Sequence, residues 1–206
     1  YDGGEPVFRG RYQRDGYSVE MYALEGEGDY VVPLLLIIPD RDGKFPAVIY
    51  IHPDGKSAEA SPGGQIEELV KKGFVVASPD ILGIGETENK SGSYVYGPSY
   101  ESILISRSIV GIQAGDIVRV VNFLKSRNEV KKDRIGAIAI EEMCPALLHT
   151  AVFDRSISRI ALLGSPVSYR TIVMNKFYKT DFSCAVAGAL TAYDLPDIIG
   201  CITPRK

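Results

Sequence analysis

The stretch "RIGAIAIEEMCPALL", Arg134 to Leu148, decides how the chain is read. "RIGAIAI" is a short run of small and β-branched apolar residues, the composition of a strand buried on both faces. From Cys144 onward, apolar residues recur at Leu147, Leu148 and Ala151, the spacing of a helix with one buried face. Only Glu141, Glu142 and Met143 lie between, so strand must pass into helix through a sharp turn. In open α/β sheets, sites gather at the carboxyl ends of strands, which puts Glu141 and Glu142 where chemistry would occur.

The flanking sequence repeats this grammar. "AVIYIH", "FVVASPD" and "ISRIALLGSP" read as three more buried strands. "GGQIEELVKKG" carries Ile66, Leu69 and Val70 at helical spacing, with Gly73 as its stop. "GIQAGDIVRVVNFLKSR" is the clearest helix, with a stripe of Ala114, Ile117, Val118, Val121 and Leu124. Nearer the N-terminus, residues 17–24 and 30–38 alternate or run apolar around the break Gly26–Asp29, the pattern of a β-hairpin. Strands alternating with helices predict an α/β fold with a doubly wound, mostly parallel sheet and an N-terminal antiparallel hairpin. No linker or repeat divides residues 1–206, so a single domain is expected.

Composition excludes several classes. The chain has 206 residues, 45% apolar and 24% charged, with a net charge of −3 and no basic stripe for nucleic acid. Its longest apolar run, "YVVPLLLIIP", is too short to span a bilayer. The cysteines, Cys144, Cys184 and Cys201, form no CxxC pair, and Cys144 falls at a helix-core position that suits a buried thiol. "GIGETE" lacks the GxGxxG-to-helix pattern of dinucleotide sites, and no His, Asp or Glu group has metal-ligand spacing. No cofactor and no metal are expected. The chain starts at Tyr1, so a secreted or periplasmic location stays open for a protein whose signal peptide has been removed.

Taken together, the pieces resemble the α/β-hydrolase fold, closest to its acetyl xylan esterase-like and dipeptidyl-peptidase-like branch. "FPAVIYIHPDG" is similar to the third strand and oxyanion loop of that branch. "GFVVASPDILGIGETE" resembles its D-x-x-G-x-G-x-S segment, with Asp80, Gly83 and Gly85 in place. Residues 102–139 resemble the long helix and the strand leading to the nucleophile, and "AYDLPDIIGCITPRK" resembles the segment preceding a further strand. The resemblance implies that this further strand and a second one supply the catalytic acid and base. A domain truncated at its C-terminus is therefore expected, a piece of a longer protein whose remainder covers the sheet edge "RIALLG"; the alternative is an oligomer neighbour or partner that covers it.

The resemblance also implies a nucleophilic serine at the strand–helix turn, flanked by small residues and served by a histidine base. Here Glu141 occupies the serine position, and Met143 stands where glycine is expected. The histidines are His52, at the oxyanion loop, and His149, two turns into the following helix. Neither sits where the triad base belongs, so no Ser–His–Asp constellation can be assembled in family order. Backbone N–H groups near Asp54 and at Glu142 are the expected oxyanion donors beside His52. Asp54, Asp80, Glu141 and Glu142 together predict an acidic cleft.

Two functions follow. The first is a catalytically degenerate hydrolase homologue that binds or scaffolds, with an acylated carbohydrate or other small ester as ligand. The alternative is an active carboxylic-ester hydrolase of the carbohydrate-deacetylase type, using an atypical nucleophile such as Glu141 or residues supplied from outside this chain. In "YVYGPSY", aromatic residues in a loop over the strand ends are read as a packed lid.

Overall fold

The computed structural model describes residues 4–88 and 97–202. Seven strands form one sheet: β1 (Val7–Arg14), β2 (Tyr17–Glu25), β3 (Val31–Pro39), β4 (Phe45–Ile51), β5 (Val75–Pro79), β6 (Val130–Ile140) and β7 (Ile157–Leu163). Six α-helices accompany them: α1 (Gln65–Lys71), α2 (Gly97–Leu104), α3 (Ile109–Ser126), α4 (Cys144–Phe153), α5 (Tyr169–Met174) and α6 (Leu195–Ile202). The strand order is β1-β2-β3-β5-β4-β6-β7. β4, β5, β6 and β7 run parallel, while β1, β2 and β3 join antiparallel on one side.

The expected hairpin is β2–β3, in continuous register from Tyr17 opposite Pro39 to Glu25 opposite Val31. β5 is buried at every position, which is why its sequence shows no alternation. Helices cover both faces of the sheet. On one face α3 and α4 pack Ile117, Val121, Leu124 and Leu147 against Ile49, Ala77 and Ile135. On the other, Ile66 and Val70 of α1 cover Tyr50 and Val76. Buried side chains of leucine or isoleucine size each contribute about 1.5–3 kcal/mol, so this two-sided core dominates stability.

Two features were not anticipated. β1 adds an outermost antiparallel strand whose residues are mostly exposed, with a bulge between Phe8 and Gly10. Its own burial is too slight to leave a periodic apolar signal. The "YVYGPSY" segment is not all loop: Tyr94, Val95 and Tyr96 lie outside the described residues, and helix α2 begins at Gly97. Tyr100, on α2, stacks against Phe182 with ring centroids 6.0 Å apart, as a packed cover would. At the opposite side of the sheet from β1, β7 is the last strand in the order, paired with β6.

Candidate functional site

β6 ends at Ile140, and the chain turns through the 3-10 turn Glu141–Met143 into α4. Glu141 itself adopts φ +50°, the left-handed conformation that side chains other than glycine rarely take. The result is a strained strand–turn–helix with a carboxylate at its apex. Glu141 is exposed and Glu142 half-buried. The small residue that the turn demands comes from another loop. A Cβ at Gly164, which follows β7 at φ +67°, would lie 3.2 Å from Glu141 Cγ. Met143 instead turns into the main core at 4% exposure, which removes the need for glycine there.

The expected oxyanion loop follows β4. His52, Asp54 and Glu142 were the candidate residues, and the loop spends one of the candidate donors internally. The Asp54 N–H donates to His52 Nδ1 at 3.1 Å, and the Asp54 carboxylate lies 3.7 Å from the same nitrogen. His52 is thereby turned onto its own loop. Asp54 is exposed, at 82% of its side chain.

Asp80 corrects the expectation of an acidic cleft. It is 1% exposed and belongs to a latch beneath the loop. Its Oδ1 accepts the Lys56 N–H at 2.6 Å, while its Oδ2 accepts from Lys56 Nζ at 2.6 Å and from the Glu86 N–H at 3.0 Å. Lys56 Nζ also pairs with Glu86. Burial works against the Lys56 ammonium, but its hydrogen bonds to Asp80 and Glu86 outweigh this and hold its pKa above that of an ordinary lysine. The latch ties the β4 loop to the loop after β5. Lys56 and Glu86 were missed in the sequence. The D-x-x-G-x-G segment signalled Asp80, but nothing in a linear reading pairs it with a lysine on a different loop.

His149 is committed elsewhere. Nδ1 lies 2.7 Å from the Pro145 carbonyl, and Nε2 lies 2.9 Å from the Tyr193 hydroxyl. The bonds require Nδ1–H to donate to Pro145 while Nε2 accepts from Tyr193. Burial holds its pKa below the usual histidine value. The unfolded chain therefore binds a proton that the folded chain refuses. The neutral ring's contribution is fully present above about pH 6.5 and is lost as pH falls toward the folded pKa. Thermal midpoints from pH 5 to 8 are expected to show wild type losing stability on acidification faster than His149→Phe. Parallel curves would sink the assignment.

Cys144 and Cys184 are buried and Cys201 is exposed, all as free thiols. The Cys144 thiol donates to the Ala139 carbonyl at 3.2 Å, and burial pushes its pKa up, so it is a packed thiol and not a poised nucleophile. Ser165 lies in the loop after β7, where its hydroxyl donates to the Pro166 carbonyl at 3.1 Å. Among the described residues, no three His, Cys, Asp or Glu side chains converge as a metal site. Nor is any single helix among them long and apolar enough to cross a membrane.

No family model matches the chain. It is 24% identical to "Putative hydrolase YtaP" of Bacillus subtilis (strain 168), over 94% of this chain and 68% of that protein. It superposes with a TM-score of 0.81 on a structure described as "a putative acetyl xylan esterase" from Bacteroides fragilis, at 19% identity over 98% of this chain and 61% of the other. A glucuronoyl esterase from Solibacter usitatus gives 0.66, at 14% identity over 98% of this chain and 66% of the other. The chain thus spans about two thirds of the length of these relatives. With its seven-stranded mixed sheet, its helices on both faces and its elbow between β6 and α4, the chain has the α/β-hydrolase fold.

Proposed function

We propose that this chain is a catalytically degenerate homologue of the esterase-type α/β-hydrolases, which binds an acylated carbohydrate or other small ester without cleaving it. The observation that carries the reading is Glu141, a carboxylate on the positive-φ apex where this fold presents a nucleophile. A carboxylate there needs a base to activate water in a second step. His52 is held by the Asp54 amide, and His149 by Pro145 and Tyr193. A negative charge at the apex also opposes an oxyanion beside it.

A second reading has support in the strained elbow, which costs about 1–3 kcal/mol to maintain. On that reading the protein is an active carboxylic-ester hydrolase, with Glu141 as nucleophile or with groups supplied from outside these residues.

Hydrolysis of 4-nitrophenyl acetate by the chain, beside Glu141→Ala and Glu141→Ser, separates the two. Wild type and Glu141→Ala are expected to match the buffer blank. Turnover by wild type that Glu141→Ala abolishes would overturn the degenerate reading and give Glu141 a catalytic role.

A further inference from the structure

Residues after β7 build a second, smaller apolar cluster in which Leu148, Tyr169, Ala189, Leu195 and Ile198 are buried. On its outer side, α5, the turn that follows it and the segment 182–191 enclose a concave pocket of about 370 Å³. That is near the lower end of pockets that take small molecules, roughly 300–1,000 Å³. Tyr169, 3% exposed, is its most deeply buried lining residue, and Ile172, Phe182, Val186 and Leu190 are among its walls.

The pocket is held open by hydrogen bonds. The Tyr169 hydroxyl donates to the Cys184 carbonyl at 3.3 Å, fixing the two walls against each other. The Asp194 carboxylate accepts from the Ser168 hydroxyl at 2.5 Å and from the Tyr169 N–H at 2.7 Å, which anchors the start of α5. A pocket fixed in this way costs little ordering when it fills.

Its polarity is one-sided. Lys176 is the charged residue among those lining it, and its ammonium lies over the Phe177 ring, 4.9 Å from the centroid. Beside it, Asn175 uses its Oδ1 to accept the Phe177 N–H at 3.0 Å, so the side chain offers N–H donors to an incoming group. Mainly apolar walls with one cationic side chain among them are complementary to an amphiphilic anion. A sugar would leave most of its hydroxyls unpaired against these walls.

We propose that this pocket binds a monocarboxylate with a medium-length apolar chain, its carboxylate at Lys176 and Asn175. The proposal does not depend on the chemistry at Glu141 and holds whether or not the chain hydrolyses esters.

The sequence contains no tryptophan, so Tyr178→Trp at the pocket rim gives a unique fluorescent reporter. Titration with octanoate is expected to shift its emission saturably. Adding Lys176→Gln should weaken octanoate about fivefold, the effect of losing one partly exposed ion pair, and leave octanol unchanged. An emission shift that fails to saturate with millimolar octanoate overturns the proposal. So does equal octanoate affinity with and without Lys176. Binding of [13C]octanoate to the unaltered chain, followed by carboxyl NMR shift, guards against a reporter that itself blocks the pocket.

Discussion

Asp80→Ala is expected to lower the unfolding free energy by about 3–5 kcal/mol, the range for removing one partner of a buried ion pair. The side chains are well shielded, with Asp80 at 1% and Lys56 at 11% exposure. Removal of the carboxylate leaves the Lys56 ammonium only its pairing with the largely exposed Glu86. The Lys56 and Glu86 amides, which bond Asp80 at 2.6 and 3.0 Å, lose their acceptor as well. Each unsatisfied buried donor costs about 1–3 kcal/mol, although relaxation keeps such terms from adding fully. For a chain of this size the thermal midpoint should fall on the order of 10 °C. Urea unfolding of Asp80→Ala and of Asp80→Asn measures it, the amide keeping an acceptor oxygen but not the charge. A loss under about 1 kcal/mol for Asp80→Ala would show that the latch does not hold these loops.

Gly85→Ala should be nearly as severe, by a different route. Gly85 has φ +58°, and a Cβ there would lie 2.6 Å from Asp80 Oδ2, with Oδ1 and the carboxyl carbon closer still. The carboxylate cannot swing aside without breaking its bonds to Lys56 and Glu86. Gly83→Ala supplies the control, since Gly83 has φ +91° but nothing within 4 Å of the added carbon. Gly83→Ala is expected to cost about 1–2 kcal/mol from backbone strain alone. Gly85→Ala should exceed it by about 2 kcal/mol. In an Asp80→Ala background that excess should shrink toward zero, because the obstacle is gone. Equal costs for the two glycines in the wild-type background would refute the steric account.

The latch also explains a feature of the β4 loop. A Cβ on Gly55 would come within 2.7 Å of Gly85 Cα and 2.8 Å of Asp80 Oδ1, so two glycines and a carboxylate interlock where the loops meet. The loops after β4 and β5 are thus held in place by residues that need no contact with a ligand. The ester assay tests Glu141, and the octanoate titration tests Lys176.

Much of the architecture could be read directly. Strands β2 to β7, helices α1, α3 and α4, and the sharp turn between β6 and α4 followed from periodicity, because a buried strand and an amphipathic helix each leave a local pattern. β1 left none, since a mostly exposed edge strand buries too little to constrain its composition. The small neighbour of Glu141 was sought in its own turn but is Gly164, which the β6–β7 pairing brings beside it. Asp80 was expected to face a cleft and instead lies beneath it, because its partners Lys56 and Glu86 come from both sides of the β4–β5 crossover. The sequence by itself determined the fold class and the sharp strand-to-helix turn at Glu141, both written in residues close together along the chain. The latch, the engagement of His149 by Tyr193 and the apolar pocket depend on contacts between segments apart in the chain, and only the tertiary structure decided them.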